Sequence, residues 1–247
     1  MAPRILPRGV FHAELAAVVN DCLDSTDPLE ILEAGCGRMW TWDLGERPIR
    51  VTGVDCDAEA LRLRTEERGD LNQAIVGDLR TVDLPHQSFD LVYSAYVLEH
   101  VAGAALVLDK MIDAVRPGGL LVIKIPDRDS VYAFLTRRTP HWAHVRYKWW
   151  IRRKPLAGTP GHGPYPVFYD PIVSRRGLLE WAASRRLPVV AMLADNSHLR
   201  FFGRAAGLVD AVLHAIALLS FGRLTADWSN VGVVLRTPHE NLAAAQP

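Results

Sequence analysis

The 247-residue chain carries no surplus charge of either sign. Twenty-eight Lys and Arg balance 28 Asp and Glu, which argues against the polycationic surface of a general nucleic-acid binder. Cysteine is scarce. Cys22, Cys36 and Cys56 have neither the spacing of a disulfide framework nor that of a metal site, so free thiols and a reducing, cytoplasmic setting are expected. The opening stretch, MAPRILPRGVFHAEL, lacks the apolar centre of a signal peptide. Lysine is nearly missing, with only Lys110, Lys124, Lys148 and Lys154 among the basic residues, a bias without mechanistic content. The most apolar stretch, 200–224, is interrupted by Asp210 and His214, which disfavours a membrane span. Internal repeats and low-complexity segments are missing too.

What is present reads as a globular protein. Apolar residues make up 49% and charged residues 23%, enough for a sizeable core in one α/β domain with insertions. Within an N-terminal segment, 1–25, Phe11, Leu15, Val18, Val19 and Cys22 recur at helical spacing. A core then spans 29–127. The runs LEILEAG, IRVTGVDCD, QAIVGDL, SFDLVYSA and LLVIKIPD read as five buried strands. Between them lie helices over 57–69, with Asp57 as N-cap and Gly69 as stop, and over 103–119, ended by Pro-Gly-Gly. Strands alternating with helices at this rhythm imply a parallel sheet covered on both faces.

After Asp127 the rhythm changes. An insertion, 132–170, is basic and aromatic; from 137 to 169 it holds seven Arg or Lys, seven aromatics and no acid. Pro and Gly between 155 and 166 argue for an extended loop. A helix over 173–187 opens at Ser174, PVVAMLADN and SNVGVVLRTP read as late strands, and 200–224 reads as a strongly apolar helical insertion.

The first strand ends ILEAGCGRM. Two glycines one residue apart let a backbone pass close to a ligand. The third glycine of a dinucleotide fingerprint is replaced by Trp40, so a pyrophosphate is not demanded. Asp55, about 20 residues further on at the end of strand two, can accept hydrogen bonds from two ribose hydroxyls. Asp78 can accept from an exocyclic amine, and Leu79 offers an apolar face and a backbone amide to a purine. Ser94 and Tyr96 stand at the end of strand four. One ligand across four strand ends would be an adenosine with a polar tail.

The order and spacing of ILEAGCG, VTGVDCD, IVGDL, SFDLVYSAYVLEHV and RPGGLLVIKIP resembles the class I S-adenosylmethionine-dependent methyltransferases over about residues 29–127. The resemblance implies a three-layer Rossmann-like fold, with a seven-stranded, mostly parallel sheet whose last strand is antiparallel. It implies S-adenosylmethionine as cofactor, with S-adenosylhomocysteine as product. Glu33, Gly35 and Gly37 would form the loop under the methionine moiety. Asp55 would hold the ribose, Asp78 and Leu79 the adenine, and Ser94 and Tyr96 would line the methyl-transfer end. Cys36 enters as a small filler of the loop and Cys56 as an edge contact near adenine. Two departures mark the chain: Met39 sits where many members place a third glycine, and the short interval from Gly37 to Val51 leaves a short or irregular first crossover helix.

The candidate catalytic residues are His100, Tyr96 and His162, with His141 and His144 as further candidate bases. His100 reads as a residue packed beside the site, a general base, or, with Glu99, a metal ligand as in some quinone O-methyltransferases that it resembles; no metal is expected. Arg146, Arg152 and Arg153 can neutralise an anion, Trp149 and Trp150 can pack on an apolar body, and Tyr165 and Tyr169 can position the acceptor. The expected acceptor is a small hydrophobic molecule with an anionic or polar end, held between the insertion and the 200–224 helix. The alternatives for that helix are a buried element, a homodimer face, or membrane-surface contact. Two rival readings of the whole are an NAD-dependent oxidoreductase on a similar sheet and a non-catalytic protein that binds S-adenosylmethionine.

Overall fold

The computed structural model describes residues 2–7, 9–23, 28–40, 42–150, 153, 155–159 and 163–239. Eight strands form one sheet: β1 (Arg4–Ile5), β2 (Leu29–Ala34), β3 (Ile49–Asp55), β4 (Gln73–Val76), β5 (Phe89–Ala95), β6 (Val115–Pro126), β7 (Val189–Asp195) and β8 (Asn230–Arg236). Their order is β1-β7-β8-β6-β5-β2-β3-β4. All pairs are parallel except those of β8, which runs antiparallel to both β6 and β7. This is the expected seven-stranded arrangement plus the two-residue edge strand β1, which is too short to show a period in sequence.

The central strands are near-continuous apolar runs because both faces are covered. Leu120 to Ile125 of β6 are all buried, Lys124 among them. One face packs on α3 (Ala104–Ala114) and α6 (Arg175–Ser184), which are joined by the Trp181 indole donating to Asp109 at 2.9 Å. The other face packs on α1 (Phe11–Cys22) and on Trp42 and Leu44. Between β2 and β3 the described residues contain no helix. Trp42, its ring 4.5 Å from that of Tyr93, covers the sheet there instead.

Several elements follow their local signals. Asp57 caps α2 (Ala58–Arg62), accepting from Glu59 and Ala60 amides. Its continuation is a π-helical turn, Leu63–Arg68, stopped by Gly69 at φ 65°. Ser174 caps α6 by accepting from Gly177. The described residues of the Pro- and Gly-rich part of the insertion, 155–159 and 163–166, are non-helical as expected, but two helices precede it that the sequence did not signal: α4 (Val131–Arg138), capped by Ser130, and α5 (His141–Trp150). No residue of α5 is buried, so no apolar stripe marked it in sequence. The 200–224 stretch is not one helix either. A 3₁₀ segment, Ser197–Ala205, breaks at Gly203 (φ 51°, ψ −124°) before α7 (Ala206–Leu219) begins.

The connection from β2 leads to β3 and β4 on one side, while β5 and β6 extend the sheet on the other. Strand order therefore reverses between β2 and β5. Open parallel sheets hold ligands in the crevice at the carboxyl ends of such a pair.

Candidate active site

The loop leaving β2 is fixed by its backbone. The amides of Gly35 and Cys36 both donate to the Val54 carbonyl, at 2.8 and 3.1 Å. Gly35 has φ 73°, and a Cβ there would lie 2.3 Å from Val97 Cγ2, so only glycine fits. The next turn is tied to Asp55. One carboxylate oxygen of Asp55 accepts from Gly37 at 2.8 Å and the other from Asp57 at 2.9 Å. Each oxygen keeps a second lone pair, and the half-buried carboxylate stands at the β3 end, where two ribose hydroxyls would meet it.

Glu33 is buried beneath the loop. Arg64, wholly buried in the π turn, donates to Glu33 at 2.7 Å, to the Cys36 carbonyl at 2.9 Å and to Asp70 at 2.6 Å. Burial raises the Glu33 pKa and the Arg64 charge opposes the rise. Glu33 thus braces the loop through Arg64. The Cys36 thiol is buried, and burial with the Glu33 charge pushes it up to about 12. The more open Cys56 thiol is also raised, by burial and then by Asp55. Neither is an activated nucleophile.

At the β4 end, Arg80 holds both oxygens of Asp78, with Nε at 3.0 Å from each and Nη2 at 2.6 Å. These bonds hold the carboxyl down at about 2, so an adenine amine would share it with Arg80. The Leu79 side chain is core, which corrects the expectation of an open apolar face. Ser94 is likewise shut in: its hydroxyl donates to the Ala34 carbonyl at 2.9 Å, closing the β2–β5 seam instead of lining the opening.

Tyr96 lies just past β5 with φ 59° and a partly exposed ring. Its amide donates to the Lys124 carbonyl at 2.9 Å, and its ring lies 5.1 Å from Lys124 Nζ. Lys124 is 3% exposed. Its ammonium also sits 3.8 Å over the Phe11 ring and 3.5 Å from His12 Nε2. Burial, then the Lys124 charge, push His12 down to about 4, with Asp195 pulling the other way. This group was not anticipated; the signal for it was one lysine inside the apolar run LLVIKIPD.

The last leg of the insertion lies across this mouth. The Phe168 amide donates to the Glu99 carbonyl at 2.8 Å, and Asp170 accepts from Gly103 at 2.8 Å and Ala104 at 3.1 Å. His100 Nδ1 is 2.7 Å from the Pro166 carbonyl. A carbonyl only accepts, so Nδ1 carries the proton and Nε2 is the free acceptor. Burial lowers the His100 pKa. The Tyr165 ring meets His100 edge-on at 5.7 Å, and burial, then Asp57 and Asp55, raise its hydroxyl. Tyr165 therefore lies near both His100 and the Asp55–Asp57 pair.

Glu99 is buried, with Oε1 3.8 Å from His100 Nε2 and Oε2 without a hydrogen-bond partner among the described residues. Burial pushes it up to about 8, which favours the protonated form near neutral pH. The described residues bring together no group of three or more metal-ligating side chains.

The remaining expected acceptor residues gather less closely. Tyr169 is buried beneath Arg137, so it supports the leg rather than facing the opening. The Trp149 indole donates to the Ala157 carbonyl at 2.8 Å. Arg146 pairs with the exposed Trp150 ring at 6.0 Å. His144 bonds the Thr136 and Thr139 carbonyls, both at 3.1 Å, joining α5 to α4. Arg153 is exposed, with φ 49°. Arg152 and His162 lie outside the described residues. A cleft of about 460 Å³ at the opposite, amino-terminal edge of the sheet is lined by His86, Asp109 and Arg185, and the last two are ion-paired.

Comparison with known proteins bears on the fold and the family. Residues 32–123 match the family described as a methyltransferase domain. The chain is 33% identical over 100 residues to the "Probable S-adenosylmethionine-dependent methyltransferase" of Mycolicibacterium smegmatis, covering 40% of this chain and 38% of that one. It is 26% identical over 211 residues to the trans-aconitate 2-methyltransferase of Azoarcus sp., covering 75% and 79%. The chain spans 35% and 38% of the length of the first curated relatives it matches. The N-methyltransferase NodS of Bradyrhizobium japonicum in complex with S-adenosylhomocysteine superposes with a TM-score of 0.54 over 93% of this chain and 86% of that one. At 17% identity that likeness is one of fold.

Proposed function

We propose that this chain, whose residues 32–123 match a methyltransferase-domain family, is an S-adenosylmethionine-dependent enzyme that transfers a methyl group to a small acceptor with a carboxylate or similar anionic end. The observation that carries the acceptor reading is Lys124, a nearly buried cation at the carboxyl end of β6, framed by Phe11 and Tyr96. It suits an anion held against apolar and aromatic walls. The Azoarcus relative is named for trans-aconitate, an unsaturated acid of the same chemistry.

The cofactor's nucleoside fits what the chain offers. Asp55 has two half-used oxygens for ribose hydroxyls, Asp78 offers a carboxylate toward adenine, and Gly35 permits close approach of a tail. When bound, S-adenosylmethionine supplies a methyl carbon already activated on a sulfonium, so the protein's task is alignment and exclusion of water. Lys124 orients the acceptor's anionic end. The leg carrying Pro166 and Phe168 closes over the mouth. For a carboxylate acceptor no base is needed. For a hydroxyl acceptor, His100 Nε2 takes the proton while its Nδ1–H stays on Pro166, and Tyr96 and Tyr165 position the oxygen.

Incubation of the full chain with methyl-labelled S-adenosylmethionine and a panel of aliphatic and aromatic acids tests this. Label recovered as a methyl ester or ether of an acid supports the reading. Transfer confined to neutral or cationic acceptors overturns the acceptor class. Tight S-adenosylhomocysteine binding with no transfer to any acceptor favours a non-catalytic binding protein.

A further inference from the structure

We propose that the outer face of α7 docks the protein onto an anionic lipid surface, lying flat in the headgroup region without crossing the bilayer. This stands apart from the acceptor reading and holds whichever small molecule is methylated.

α7 inverts the usual pattern of a surface helix. Of its 14 residues only Leu213 is buried, packed with Val131, Leu199 and Ala226 beneath α4. Leu208, Ala211, Val212, Ala215, Leu218 and Leu219 follow helical spacing down the opposite side and form an apolar stripe open to solvent. Leu218 is 80% exposed, and Phe221, just beyond the helix, 92%. The polar residues stand on the flank: His214 lies 3.6 Å from Asp210 and 3.7 Å from Asp227. A run of exposed leucines that leaves its acids to one side is an unmatched binding face.

The stretch Phe201–Leu219 has the mean hydropathy, 1.5, of a membrane segment, but its geometry is not that of a span. The chain breaks at Gly203. Fourteen helical residues reach only about 21 Å at ~1.5 Å each, against a hydrocarbon core of about 30 Å. An interfacial helix needs no such length.

The charges select the occupant. Exposed Arg204 and Arg223 bracket the stripe, with Phe201 and Phe221 beside them. An apolar centre with a cationic, aromatic rim complements acyl chains beneath anionic headgroups. It does not complement itself. In an antiparallel pair of two copies Arg204 would meet Arg223, and in a parallel pair each would meet its own kind.

The test uses the full chain, with phosphatidylcholine vesicles and with vesicles containing one-third phosphatidylglycerol. The wild type should sediment with the anionic vesicles and be released by salt. A Leu208→Glu/Leu218→Glu/Phe221→Glu variant should lose at least tenfold in binding, and Arg204→Glu/Arg223→Glu should lose a similar amount. Unchanged S-adenosylhomocysteine affinity would show that both variants are folded. Failure of the wild type to bind anionic vesicles, or variants that bind as it does, would overturn the proposal. So would a wild-type dimer that ignores vesicles and becomes monomeric in the leucine variant, which would assign the face to a second copy.

Discussion

Arg64 Nη1 donates to Glu33 Oε2 at 2.7 Å, and both side chains are shut away from solvent. Arg64 comes from a π turn one layer outside the sheet, and the same guanidinium reaches Asp70 and the Cys36 carbonyl. One buried cation therefore holds the β2 strand end, the glycine loop and the turn into β4 together.

Arg64→Met should cost about 3–5 kcal/mol, because it strands Glu33 in the interior without a counter-charge. Urea denaturation measures the loss. Arg64→Lys should recover little of it, since a single ammonium cannot span Glu33, Asp70 and the carbonyl in the fork geometry of a guanidinium. A loss below about 1 kcal/mol for Arg64→Met would mean that the cluster is solvated and not a brace.

Glu99 gives a signed pH dependence. Its carboxyl titrates at about 8 in the fold, against 4.5 ordinarily, because it is buried. Between those values the folded state holds a proton that the unfolded chain has released, so stability falls as pH rises through the window. The contribution is whole below the unfolded value and lost above the folded one. Glu99→Gln should flatten the decline from about pH 5 to about pH 8 by on the order of a few kcal/mol. A residual slope should remain, since burial also raises Glu33 and Asp127. Identical slopes in wild type and variant would contradict burial of this acid.

Lys124 and His12 report on each other. Lys124→Met removes one of the two influences that hold His12 at about 4, leaving burial alone. The His12 ring resonances should then titrate at higher pH by nuclear magnetic resonance. In the same variant the KM for a carboxylate acceptor should rise about tenfold or more, the scale of a lost charge-assisted contact. S-adenosylhomocysteine affinity should stay within about twofold. An unmoved His12 titration would place the ammonium elsewhere.

The sheet was legible because buried parallel strands are long apolar runs, and because Gly35, Asp55 and Asp78 stand at their carboxyl ends. The caps at Asp57 and Ser174 were legible for the same local reason. The brace was not: Arg64 falls inside a helical pattern in which Arg62, Glu66 and Glu67 look like ordinary solvated charges, and only the π turn carries it inward. Ser94 and Leu79 show the reverse limit. Their positions match a site, but which side of the backbone faces the crevice is decided by packing. α5 left no period to read because none of its residues is buried. Nor does the linear chain reveal that Pro166 and Phe168 return to His100 and Glu99, 66 residues away for the Pro166–His100 contact.

The central claim is that Asp55, tied to Gly37 at 2.8 Å and to Asp57 at 2.9 Å, holds the ribose of S-adenosylmethionine. Calorimetric titration of the full chain with S-adenosylhomocysteine, beside Asp55→Ala and with NADH as a control, tests it most directly. The account predicts one-to-one binding by the wild type, no heat with NADH, and an affinity for Asp55→Ala weaker by about 1–3 kcal/mol, or roughly tenfold to a hundredfold. Binding of S-adenosylhomocysteine that is unchanged in Asp55→Ala, or a wild type that binds NADH in its place, would contradict it.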